Sequence, residues 1–289
     1  MTVQELSVRD AYVRCEEITA AQARNFSYGI RLLPGPKRQA MCALYAMARR
    51  IDDIGDGNGA AHEKLQALAE VRKSLSELQG DPSTAGADPV LIALADAAQR
   101  YGLPMEALDE LIDGCEMDVN GVSYETFDDL VGYCRRVAGT VGRLSLAVYG
   151  NRPHDNAEYL ANSLGVALQI TNILRDIVED RETMGRVYIP AEDTIRFGVD
   201  PDLRGPEVEL AALISFEAAR ARTWYAEGLQ LLPLLDWRSR ACTAAMAGIY
   251  RRLLDRIASD PLSVTRERIS LSGSEKARVA ARALARGAA

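Results

Sequence analysis

Two pairs of acids at one spacing stand far apart in this sequence, Asp52 with Asp56 and Asp176 with Asp180, each reading D-x-x-x-D. On an α-helix, residues four apart lie one turn above each other, so each pair projects from a single face and can converge on one ion. At about 100° per residue, Tyr45, Arg49, Asp52 and Asp56 share a stripe roughly 60° wide, and Gln169, Asn172, Asp176 and Asp180 one roughly 80° wide. Both stripes run inside otherwise apolar segments, residues 41–48 and 164–170, and neither contains a lysine. A solvated helix face would instead mix acids with lysines one turn away. One such pair is commonly only a solvated ion-pair face, whereas two in matched apolar settings, with Asn172 alongside, point to a metal.

Burying several carboxylates together costs several kcal/mol each, or raises their pKa values until they neutralise. A hard divalent cation resolves the conflict, and all-oxygen ligands with an Asn amide favour Mg²⁺, or Mn²⁺, over zinc. Mg²⁺ keeps waters and usually bridges carboxylates to substrate phosphates, so the pattern implies a phosphate-bearing substrate. Arg24, Arg49 and Arg175 flank the acids and are placed to bind the phosphate oxygens that a metal leaves free.

The elements that must hold these groups are helices. Ala, Leu and Arg are abundant, and no strand-like alternation of Val, Ile and Thr recurs, so the expected class is all-α. Breakers punctuate the pattern at 33–36, 80–89 and 198–206; Thr126 with Asp129 resembles a capping arrangement, and Pro190 is placed to open a short helix at Ala191. The 289 residues, 48% of them hydrophobic, can bury a large core, and one domain spanning 1–289 is expected. A basic tail closes the chain from about residue 272, either a solvated terminal helix or an amphipathic one able to touch anionic lipid.

A net charge of −7 and a pI near 5.1 argue against a nucleic-acid binder. The five cysteines include no C-x-x-C pair and fit reduced thiols; His62 and His154 lack partners for a zinc site. The first residues lack the basic-then-apolar pattern of a secretory signal, and no apolar run approaches the ~20 residues needed to span a bilayer. The expected setting is cytoplasmic, with peripheral membrane contact open.

Five segments carry a resemblance. Residues 24–29 (RNFSYG), 43–53 (ALYAMARRIDD), 133–142 (YCRRVAGTVG), 168–176 (LQITNILRD) and 185–190 (GRVYIP) run in the order found in the squalene/phytoene synthase family, and the chain resembles a member of it. That resemblance implies a class I isoprenoid-synthase helical bundle around a central cavity, and Mg²⁺-dependent head-to-head (1'-1) condensation of two prenyl diphosphates. It places Asp52, Asp56, Asn172, Asp176 and Asp180 on metal-binding positions. It puts Arg24, Asn25, Arg49, Arg175, Arg186 and Arg268 on the substrate diphosphates, and Tyr45, Tyr133, Gln169 and Tyr250 in the reaction cavity. Asn25 departs from the family, where many members carry Ser.

Segments 27–34, 117–118 and 124–126 look most like bacterial presqualene diphosphate synthases of hopanoid pathways, which join two farnesyl diphosphates. The expected alternatives are phytoene synthase, C30 dehydrosqualene synthase, squalene synthase with NADPH, and a non-catalytic relative. A head-to-tail prenyltransferase or a terpene cyclase would normally show D-D-x-x-D. The chain has no G-x-G-x-x-G fingerprint, and NADPH is not expected. An allylic cation needs a dry cavity, for which Val137, Val141, Leu164, Leu168 and Ala245 are the candidate walls.

Overall fold

The computed structural model describes residues 6–23 and 25–287, and every regular element among them is helical. In chain order these are α1 (Val8–Gln22), α2 (Phe26–Ile30), α3 (Gly35–Asp56), α4 (Ala61–Gly80), α5 (Pro89–Tyr101), α6 (Glu106–Val119) and α7 (Phe127–Cys134). There follow α8 (Thr140–Tyr149), α9 (Ala157–Thr183), α10 (Ala191–Phe197), α11 (Glu207–Gly228), α12 (Trp237–Ser259), α13 (Ser263–Arg266) and α14 (Gly273–Gly287). A π-type turn, Arg135–Gly139, joins α7 to α8 without a break.

Local chemistry sets the ends of these helices. Thr126 caps α7 by accepting from Asp129 N (3.2 Å), while Asp129 accepts from Thr126 N (2.9 Å), the reciprocal pair expected from the sequence. Pro190 does open α10 at Ala191. The breaker run at 80–89 differs from a plain loop: Asp81 accepts from Ser83 N (2.9 Å) and winds Pro82–Ala85 into one tight turn.

Two apolar cores lie side by side. One is built on α1, α3, α5 and α6 around Met47, Ile51, Leu94 and Leu108; the other on α9, α11 and α12 around Ile170, Leu174, Ile214 and Leu253. Phe26 and Val137 pack against both. The cavity opens at this seam, walled by α3, α8, α9 and α12.

α3 is held from two sides. Arg50 clamps Asp88, the N-cap of α5, with two bonds of 2.8 and 2.9 Å, and Lys37 binds Asp236, the N-cap of α12, at 2.7 Å. α9, roughly 40 Å long at 1.5 Å per residue, packs most heavily on α11. Its close approach to the π-type turn requires Gly165, where a Cβ would stand 2.5 Å from the Ala138 carbonyl oxygen. As far as Gly287 the basic tail is packed: α14 buries Val279, Ala280 and Ala283 along α12.

Candidate active site

The two stripes marked by their spacing meet at one cavity. Tyr45, Arg49 and Asp52 from α3 and Gln169 and Asn172 from α9 all line it, and its remaining wall is largely apolar. Its volume is about 280 Å³. Val137, Val141, Leu164 and Leu168 lie on the wall as expected, but Ala245 does not. On α12 the cavity takes Thr243, Met246 and Ala247, and helical phase turns Ala245 away to pack with Ala280 and Ala283 of α14.

The acids divide into two kinds. Asp56 and Asp176 are held by arginines: Arg186 Nη1 donates to Asp56 (2.8 Å), and Asp176 accepts from Arg175 Nε (2.8 Å) and Arg268 Nε (2.9 Å). Asp52 and Asp180 form no ion pair within 4.0 Å among the described residues. Burial, and next the charge of Asp56, push the Asp52 carboxyl up to about 7; burial, and next Asp176, do the same to Asp180. Burial also acts to raise Asp176, but Arg175 and Arg268 outweigh it and hold that carboxyl below the usual range.

The donor set suits a hard divalent cation. Asn172 Oδ1 is buried with no hydrogen-bond partner, and among the described residues neither Asp180, further along the same helix, nor Asp52, across the cavity, has an ion-pair contact. The cage is not closed, however. Among the described residues no three His, Cys, Asp or Glu side chains already surround one point, because arginines occupy Asp56 and Asp176.

Aromatic groups complete the polar end. Phe26 sits between Tyr45 (centroids 6.4 Å apart) and Tyr250 (5.9 Å), and Arg175 lies 6.0 Å over the Tyr250 ring. Tyr133 stands off the cavity wall, buried against Tyr188 at 5.2 Å. Asn25 lies at the start of α2 beside Phe26, off the cavity wall, with no side-chain cap bond. Arg24 falls outside the described residues.

Asp118 of α6 was not singled out by spacing, yet it connects these groups. It accepts from Tyr133 OH (2.8 Å) and Tyr188 OH (2.9 Å). Burial raises its pKa, with Arg186 and the two tyrosine donors holding it back. Its signal was available: Leu111, Cys115 and Asp118 share one face of α6, and the first two are 1% and 4% exposed, so an acid there falls on a buried stripe.

An all-α bundle whose apolar cavity ends in Arg49, Asp52 and the unpartnered Asn172 Oδ1, with Asp56, Asp176 and Asp180 further along the same two helices and off the lining, defines a class I isoprenoid synthase. The squalene/phytoene synthase family model matches residues 19–275, and the chain belongs to that family. Members join prenyl diphosphates head to head with a divalent metal. A phytoene synthase of Mycobacterium tuberculosis is 49% identical over 284 residues, covering 96% of this chain and 92% of its own. One from Arthrospira platensis is 37% identical, covering 90% and 87%. Among solved structures, a dehydrosqualene synthase in complex with ligand superimposes with a TM-score of 0.85 at 29% identity, covering 96% and 97%. Squalene synthase HpnC from Alicyclobacillus acidocaldarius does so at 0.78 and 28%, covering 87% and 94%. No helix among the described residues is long and apolar enough to cross a membrane.

Proposed function

We propose that this protein joins two farnesyl diphosphates into presqualene diphosphate. One observation carries the reading: a rim of Arg49, Asp52 and Asn172 at the end of an apolar cavity, a charged head-site continuous with a dry tail-site. The sequence segments 27–34, 117–118 and 124–126, which resemble presqualene diphosphate synthases, favour the C15 substrate. Because the cavity lining runs from α2 to α12, the chain reads as one domain. Five unpaired thiols among the described residues support a reducing, cytoplasmic setting.

Asp52, Asp56, Asn172, Asp176 and Asp180 would hold Mg²⁺, or Mn²⁺, which when bound supplies positive charge against the leaving diphosphate. Arg49, Arg175, Arg186 and Arg268 donate to phosphate oxygens, exchanging their present carboxylate partners for the substrate. The donor C–O bond breaks with its electron pair leaving on the diphosphate. The acceptor double bond attacks donor C1, and loss of a proton closes the cyclopropane. Tyr45 and Gln169 orient the reacting heads, Tyr250, off the lining, supports Phe26 and Arg175 from behind, and Val137, Val141, Leu164 and Leu168 keep water from the cation. Tyr133 stays protonated, since burial and Asp118 raise its pKa well above the ordinary value. It therefore positions Asp118 and does not act as the base, and the released diphosphate takes the proton.

A second reading, phytoene from two geranylgeranyl diphosphates, is favoured by the names of relatives at 49% and 37% identity. The purified protein with Mg²⁺ and each diphosphate separately, with and without NADPH, separates them by mass spectrometry of the lipid. Presqualene diphosphate from the C15 substrate, regardless of NADPH, is expected. Turnover confined to the C20 substrate, or squalene formed only with NADPH, overturns the first reading, and loss of turnover in EDTA is expected under either.

A further inference from the structure

On a neighbouring face of α12 lies a second concavity of about 440 Å³, between α12 and α14. Ala247, only 1% exposed, belongs to the walls of both. The floor of this groove is apolar, made of Leu229, Leu232, Ala244 and Val279. Its rim is formed by Arg240, Arg251, Arg252, Arg282 and Arg286. Their spacing explains why they converge. Residues 240, 244, 247, 248 and 251 form one face of α12, and 279, 282, 283 and 286 one face of α14, so two helices present arginines to a shared trough.

These arginines lack counter-charges. Among the described residues, Arg251, Arg252, Arg282 and Arg286 make no ion pair and no side-chain hydrogen bond. The single acid of the lining, Asp255, is taken by Arg222 at 3.1 Å. Glu275, which feels the charge of Arg252, is bound by Arg256 and by Ser272 N (2.8 Å) and Oγ (2.9 Å). Arg240 donates to the Gly287 carbonyl at 3.3 Å, but its Nε is buried with no partner. Five guanidinium groups are thus gathered on a chain whose net charge is −7, against the sign of the whole. Like charges held this close repel unless an anion neutralises them.

We propose that the α12/α14 groove is a second binding site, for a phosphate-bearing amphiphile whose head lies on the arginine rim and whose chain lies on the apolar floor. Guanidinium forks match phosphate oxygens bidentately, and the floor supplies area for one hydrocarbon chain. Two sources share this chemistry, an anionic phospholipid in a bilayer and a single soluble molecule. The site is independent of the condensation reading, and its test reads binding alone.

The test compares the full-length protein with R251Q/R282Q/R286Q and with a charge-matched control, R9Q/R14Q/K73Q, on α1 and α4 away from the groove. One arm measures partition onto phosphatidylcholine vesicles with and without phosphatidylglycerol; the other titrates monomeric dodecyl phosphate by calorimetry. Each arginine near an anionic surface contributes roughly fivefold, so the groove variant should partition about a hundredfold less while the control keeps near wild-type binding. A fall with vesicles alone assigns the groove to the bilayer headgroup; a fall of at least about tenfold with dodecyl phosphate assigns it to a single amphiphile. Equal binding by wild type and groove variant in both arms, an equal fall in the control, or no wild-type binding in either arm overturns the proposal. All three side chains are exposed, so melting temperatures should stay within about 2 °C; R282Q alone reads the same effect at fivefold should the triple variant not fold.

Discussion

Asp52→Asn should stabilise the protein while stopping its chemistry. The Asp52 carboxyl moves from 3.8 to about 7 on folding, through burial first and the charge of Asp56 second. At 1.36 kcal/mol per pKa unit, keeping it ionised costs the fold about 4 kcal/mol, and a neutral amide of the same shape recovers about 2–4 of these. The sign follows from linkage. Below pH 3.8 the group is protonated in both states and nothing is lost; the penalty grows between about pH 4 and 7 and is complete above 7. For a chain of this size 1 kcal/mol is worth about 2 °C, so in EDTA at pH 8 the variant should melt about 4–8 °C above wild type, and level with it near pH 4. Mg²⁺ should raise the wild-type melting temperature and leave the variant unmoved, and turnover of either prenyl diphosphate should vanish. A variant no more stable at pH 8, or as strongly stabilised at pH 4, refutes the electrostatic account of this carboxyl.

Gly165→Ala places a methyl 2.5 Å from the Ala138 carbonyl oxygen and should cost about 1–3 kcal/mol in urea unfolding, with the cavity wall displaced. Arg268→Gln removes one of the two arginines on Asp176, so turnover should fall at least about tenfold with little change in melting temperature, since the Arg268 side chain is 55% exposed. Tyr133→Phe leaves Asp118 with Tyr188 as its remaining tyrosine donor; losing a hydrogen bond to a charged acceptor, about 1.5–3 kcal/mol, should slow turnover roughly 10- to 100-fold in single-turnover kinetics.

Periodicity carries most of the site because the site is mostly two helical stripes. Tyr45, Arg49, Asp52 and Asp56 follow from 3.6 residues per turn on α3 alone, and Gln169 through Asp180 from the same rule on α9. What periodicity could not show is which acids find arginines. Arg186 reaches Asp56 across 130 residues of sequence, and Arg268 reaches Asp176 across 92, distances at which one chain carries no pairing signal. Asp118, marked only within the resembling segment 117–118, has no D-x-x-x-D partner; the buried stripe of α6 hints at it, and its role shows only once Tyr133 from α7 and Tyr188 from the turn after α9 donate to it. Ala245 failed at finer grain. Two neighbouring faces of α12 are both apolar, and only the presence of α14 decides which one meets the cavity.

α9 carries Gln169, Asn172, Arg175, Asp176 and Asp180 on one unbroken rod. A rod of this kind is a ruler, and rulers do not tolerate edits to their length. Deleting a single residue between Asp176 and Asp180 would swing the last carboxylate by about 100° and shift it about 1.5 Å, moving it off the shared face while leaving the others in place. Insertions and deletions among natural descendants of this chain should therefore gather in the exposed connection at 150–156, while α9 changes only by substitution. Reading-frame length in that stretch is as much a part of the catalyst as the acids it spaces.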